Sequence, residues 1–136
     1  MAQILAYGTN VPTPITDGAA ITIPLTPAGQ GISLVRITVP PVANNRVELV
    51  ATVGFRGDTG TGSVLFRIFR DGREIYYARQ GFEAGFEKYY LTTQQAIDSN
   101  VAAGTHDYVL SVELLNAGTA ATVIGPITFS ALAIEP

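Results

Sequence analysis

Cysteine is absent from these 136 residues, which excludes disulfide bridges and thiolate metal sites. Tryptophan is absent as well, so a sugar ring would find no indole on which to stack. There is a single histidine, His106. No serine stands in a nucleophile-elbow pattern, and a Ser–His–Asp triad has nothing to build on. Charge is scarce: Asp, Glu, Lys and Arg make up 14% of the chain, against about 25% in ordinary soluble domains. Lysine is scarcest of all. Lys88 stands alone against seven arginines, a bias that suits bidentate contacts in interfaces better than solvation. A net charge of −3 argues against nucleic acid, whose phosphates call for clustered cations. No apolar run nears the roughly 18 residues of a membrane-spanning helix. The opening "MAQILAYGTNVPTP" has no basic segment and an apolar run of only four residues, so no secretory signal is expected. No cofactor, metal or membrane partner is expected either.

Apolar residues make up 47% of the chain, and glycine (14) and proline (8) cut it into short pieces. The pieces alternate with a period of two, as half-buried strands do. Val47, Leu49, Ala51, Val53 and Phe55 share one face. Tyr108, Leu110, Val112 and Leu114 share another, as do Ile127, Phe129, Ala131 and Ala133. Within "VLFRIFRDGREIYYAR", Asp71-Gly72 joins two β-rich runs and suits a type I′ hairpin turn. Arg70 and Arg73 flank the turn, with Glu74 placed to balance one of them. About nine strands are expected, near 3–7, 20–26, 32–39, 46–55, 63–70, 73–79, 86–97, 106–116 and 119–134, the last broken at Gly125-Pro126. No long helix is supported. The fold class is therefore all-β, an antiparallel jelly-roll-like β-sandwich of about 8–9 strands. Residues 1–16 look like an extended N-terminal arm, a short strand followed by a proline-containing connector, ahead of a single sandwich domain over 17–136. The arm either pairs with its own sheet or adds a strand to a neighbour's edge.

The stretch "FRGDTGTGS" (residues 55–63) admits three readings. A phosphate-cradling loop would need Lys where Ser63 stands, and a helix where a strand follows. Arg56-Gly57-Asp58 spells an adhesion tripeptide, a weak signal in any chain. A plain reversal between two strands needs neither. His106 in "GTHDY" reads as the entry to a strand. Glu74, Glu83 and Glu87 are the carboxylates nearest one another for hydrolytic chemistry, but nothing in the sequence sets their separation. More informative is the crowding of Tyr76, Tyr77, Phe82, Phe86, Tyr89 and Tyr90, more than one strand face can bury. Adjacent tyrosines point to opposite faces of a strand, so one of each pair faces away from the core. Tyrosine and arginine are enriched at subunit interfaces. With the apolar start of the chain, this makes Ile4, Leu5, Tyr7, Tyr77, Phe82, Phe86 and Tyr90 the candidate subunit contacts.

"NNRVELVATVGF", "VLFRIFRDGREIYY", "QGFEAGFEKYYLTTQQAIDSNV" and "VIGPITFSALAI" together resemble the exosporium protein C family of endospore-forming bacilli, most strongly over Val64 to Val101. Less closely, and in architecture alone, the chain is similar to subunits of endospore appendage fibres, although without cysteine it cannot link subunits by disulfides. The resemblance implies a structural protein of the outermost spore layer with no catalytic residues. Such a protein is made in the mother-cell cytoplasm, needs no signal peptide, and has copies of itself and other spore-surface proteins as partners. The charge deficit points the same way, because a dispersed monomer has roughly a quarter to a third of its surface positions charged. The expectation is a non-enzymatic, self-associating component of the spore surface. The alternative is a β-sandwich module forming a compact trimer, which recognises carbohydrate or a receptor through the 56–62 loop or the Tyr76–Tyr90 region.

Overall fold

Nine strands account for nearly all the regular structure of the computed structural model, which describes every residue from Met1 to Pro136. They are β1 (Gln3–Thr13), β2 (Ile21–Thr22), β3 (Gln30–Val39), β4 (Arg46–Thr59), β5 (Thr61–Arg70), β6 (Arg73–Glu83), β7 (Tyr89–Ser99), β8 (Gly104–Leu114) and β9 (Ala120–Glu135). There is no helix. One sheet has the order β1-β9-β4-β7, with β2 beside β9, and the other has the order β3-β8-β5-β6. The antiparallel pairs are nested: β5 with β6, β4 with β7, β3 with β8, and β1 with β9. A long hairpin rolled up in this way is a jelly roll.

Alternation in the sequence is what builds the core. Val47, Leu49, Ala51, Val53 and Phe55 of β4 face inward beside Ile127, Phe129, Ala131 and Ala133 of β9. Val64, Phe66 and Ile68 of β5 and Tyr108, Leu110 and Val112 of β8 close the core from the other sheet. Phe55 is its aromatic centre, with Phe66 at 6.0 Å, Phe82 edge-on at 6.2 Å and the Tyr90 ring stacked at 5.0 Å. The Asp71-Gly72 turn forms as expected, with φ of 51° and 84° at its two residues. Glu74, however, pairs with Arg67 at 3.3 Å. Arg70 instead reaches Asp98, whose carboxylate also accepts from the Tyr108 hydroxyl at 2.9 Å. Burial pushes the Tyr108 phenol well above its ordinary range.

Three boundaries differ from the sequence expectation. The arm is not a separate element: residues 3–13 are one strand, paired with β9 from Gln3↔Glu135 to Thr13↔Ile127. Pro12 is tolerated because β1 is an edge strand and the ladder shifts register between Asn10 and Thr13. The strand expected at 20–26 shrinks to two residues, because the segment crosses between sheets. Ile23 N–H donates to Ala121 O of β9, whereas Thr26 N–H donates to Leu114 O of β8. Finally, β9 is expected to break at Gly125-Pro126 but runs through it as one strand, Ala120–Glu135, with only a register shift against β4 between Val53 and Phe55.

Candidate interaction surface

The two sheets differ in what they show to solvent. Outward residues of the β1-β9-β4-β7 sheet line up in rows across all four strands. Tyr7 lies beside Leu132, Leu132 beside Glu48, and Glu48 beside Ile97. The next row runs Thr9, Ser130, Val50, Gln95, followed by Thr128, Thr52, Thr93. Ile4, Tyr7, Val50, Tyr89, Leu91 and Ile97 are all exposed large apolar residues on this face. Charge on it is limited to Arg46, Glu48, the Lys88 ammonium 5.6 Å over the Tyr89 ring, and the mutually satisfied pair Arg56–Asp58, 2.6 Å apart, whose Asp58 also accepts from the Thr122 hydroxyl. The outer face of the β3-β8-β5-β6 sheet carries the opposite character. There Arg36 pairs with Asp107 at 2.7 Å, and Arg67 lies 2.5 Å from the buried Glu113 as well as reaching Glu74.

The expected contact residues divide between surface and interior. Ile4 and Tyr7 are exposed, Tyr7 by 64%, and share the charge-poor face. Tyr77 is exposed on the other sheet, opposite Arg67, and Phe86, 94% exposed, lies between β6 and β7. Phe82 is not a surface residue. It is 4% exposed because Gly62 stands opposite it on β5 and Gly57 beside it on β4, leaving the space its ring fills. Leu5 is half-buried against the core at the bulge after Ile4. Tyr90 is half-buried too. Its hydroxyl accepts from Glu83 N–H at 2.9 Å and donates to Glu87 O at 2.5 Å, tying down residues 83–89. The rule for adjacent tyrosines holds: Tyr76 and Tyr90 pack on the core while Tyr77 and Tyr89 face out. The structure thus brings Ile4 and Tyr7 onto one face and leaves Tyr77 and Phe86 off it. Sequence reasoning missed Val50, Leu91 and Ile97, each of which follows an apolar or aromatic neighbour in the chain, because the sequence does not say which strands adjoin.

The motifs resolve into structure. "FRGDTGTGS" is the end of β4, a one-residue turn at Gly60 (φ 71°) and the start of β5. The Arg-Gly-Asp triplet lies in a strand with its two charges facing each other. His106 bridges two backbone segments, with Nδ1 2.6 Å from Asp71 Oδ2 and Nε2 2.7 Å from Ala102 O. Glu83 accepts from Glu87 N–H at 3.0 Å and so serves the same 83–89 loop. No three His, Asp or Glu side chains converge. An open hollow of about 690 Å³ at one end of the sandwich is lined by Pro41, Val42, Ala43, Asn44 and residues 100–103, with no titratable side chain. The buried Asn45 clamps its two loops together, its amide donating to Val42 O and Val101 O and its oxygen accepting from Val101 N–H.

No protein-family model matches the chain, and no curated protein matches it. Among solved structures it is similar to part of latent PorU from Porphyromonas gingivalis, with a TM-score of 0.53 and 7% identity over 98% of this chain. The chain spans only 13% of the length of that PorU chain. It is also similar to the TNF protein Eiger from S. frugiperda, with a TM-score of 0.48, 10% identity, and 95% and 91% of the two chains covered. The insecticidal delta-endotoxin Cry8Ea1 from Bacillus thuringiensis gives 0.46 at 10% identity, over 84% of this chain and 19% of that one. At such identities the likeness is one of fold, a β-sandwich.

Proposed function

We propose that this chain is a non-enzymatic structural protein that associates with copies of itself, as a component of a bacterial spore surface, the exosporium or an appendage. The observation that carries the reading is the segregation of charge. One sheet shows ion pairs to solvent, while the other shows Ile4, Tyr7, Val50, Leu91 and Ile97 among threonines and serines, with Arg46, Glu48, Lys88 and the Arg56–Asp58 pair as its charges. A cluster of exposed apolar side chains marks an association surface, and covering it removes apolar area from water while desolvating few charges. Assignment to the spore surface is supported by the resemblance of Val64 to Val101 to the exosporium protein C family.

Light scattering and negative-stain microscopy on the purified chain, over a rising concentration series, test the association. Particles larger than one chain, growing with concentration, are the expected result. A single dispersed species at the highest soluble concentration overturns it. A small closed oligomer whose unfolding temperature rises with an added glycan would favour a binding module instead.

A further inference from the structure

Each sheet ends in two edge strands, and the four edges are unequally guarded. An exposed edge is ordinarily blunted by proline, charge, bulges or covering groups. β1 has Pro12 and two register shifts. β3 has Arg36 and a shift between Gly31 and Ser33, and its Leu34 carbonyl is capped by the Asn10 amide at 2.9 Å. β6 carries Arg73, Glu74 and Arg79, and its ladder with β5 is interrupted between Ile68 and Phe69. β7 is the least guarded. Its pairing with β4 runs from Arg46↔Ser99 to Arg56↔Tyr89 without a shift, residues 89–97 contain no charge, proline or glycine, and its one charge, Asp98, is held inward by Arg70 and Tyr108.

The direction of its free hydrogen-bonding groups follows from the ends of this ladder. Gly57 N–H donates to Lys88 O, and Asn100 N–H donates to Asn45 O. Residues 88 and 100 therefore turn their backbone groups toward β4, and by alternation so do 90, 92, 94, 96 and 98. The N–H and C=O of Tyr89, Leu91, Thr93, Gln95 and Ile97 consequently point away from the sheet, toward the open edge. The same five residues carry the side chains that lie on the charge-poor face.

Resting on the self-association reading, and naming the contact it uses, we infer that β7 pairs antiparallel with β7 of a second copy across a two-fold axis at Thr93. This register is self-complementary. It sets Tyr89 opposite Ile97, Leu91 opposite Gln95 and Thr93 opposite its own symmetry mate, and every matched residue presents its backbone groups to the other. Aromatic–β-branched and Thr–Thr pairs are favourable across antiparallel strands, and no like charges meet. The charge-poor faces of both copies join into one continuous sheet surface. The contact is isologous and closes on itself, so larger assemblies use the joined face as their second contact. The cleft between the β6 and β7 edges, where Arg79 and Gln80 lie with Leu91, Thr93 and Gln94, adjoins the contact, so Arg79 is the charge nearest to it.

Two variants of the full-length chain test the pairing by sedimentation velocity and cross-linking. Thr93→Lys places two ammonium groups face to face across the axis without removing any backbone bond to β4. It is expected to weaken dimerisation by about tenfold or more while leaving the unfolding temperature within a few degrees of wild type. Because the chain lacks cysteine, Thr93→Cys offers a single thiol. With a short bis-maleimide it is expected to yield a covalent dimer, whereas Thr38→Cys on β3 is not. If wild type associates but Thr93→Lys associates equally and the Thr93→Cys variant does not cross-link, the β7 pairing is overturned and self-association stands. If wild type is monomeric throughout, both fall.

Discussion

At the scale of single residues, His106 is the clearest case of chemistry used for structure. Its Nε2 faces the Ala102 carbonyl, which can only accept, so Nε2 carries a proton. The other nitrogen faces the Asp71 carboxylate, which also only accepts. Both contacts are satisfied together only in the imidazolium form. The hydrogen bond to Asp71 accordingly raises the His106 pKa above its ordinary 6.5, while the Asp107 backbone N–H, followed by His106, lowers that of Asp71. A raised histidine stabilises the fold fully below its ordinary value, and that stability is lost as pH climbs through the higher folded value. A lowered aspartate acts above its own ordinary value and is lost on acidification. The bridge is therefore at full strength from about pH 4 to about pH 6.5 and fades on the alkaline side. With one histidine in the chain, a single imidazole resonance followed by NMR is expected to titrate above 6.5. Asp71→Asn should bring the midpoint down. An unchanged midpoint in that variant would contradict the assignment.

At the scale of elements, two glycines near turns show why similar sequence signals have different causes. Gly72 sits at φ 84° in the β5–β6 turn, and a methyl group added there would meet nothing. Gly57 has ordinary strand conformation, but a methyl group there would lie 2.2 Å from the Glu83 carbonyl oxygen. Gly72→Ala is expected to cost about 1 kcal/mol, the conformational penalty alone. Gly57→Ala is expected to cost about 3 kcal/mol, because backbone must move. Denaturant midpoints that rank the two the other way would show that the β4–β6 approach is soft. The first glycine was legible from its Asp-Gly context and the second was not, since its neighbour is a strand 26 residues away in sequence. The same contrast runs through the fold. Strands β3 to β9 were legible because their alternation is local. The full extent of β1 was hidden by Pro12, which only an edge position makes acceptable, and the shortness of β2 was hidden because its segment bonds to both sheets in turn. Phe82 looked like a surface aromatic because the glycines that make room for it lie on two other strands.

At the scale of the whole molecule, the candidate surface is a property of register. Tyr7, Leu132, Glu48 and Ile97 are scattered across the chain and adjoin only once four strands are aligned. Its scarcity of charge has a measurable consequence. Raising the ionic strength from about 0.1 M to about 1 M shortens the screening length from about 10 Å to about 3 Å, which weakens contacts between exposed ions. Assemblies held by the apolar rows of the charge-poor sheet are expected to persist or grow under that change, as read by light scattering at fixed protein concentration. If they dissolve, the ion-paired face of the other sheet is the contact.

The nesting of the strands also governs when such a surface can exist. β9, the last of the nine strands to be synthesised, occupies an interior place between β1 and β4. Until it arrives, β1 has no partner, and the rows that cross the sheet have a gap. A half-made chain cannot present the finished surface to its neighbours. On the proposed reading, association through that surface therefore waits until β9 is in place, a timing inherent in the winding of the chain itself.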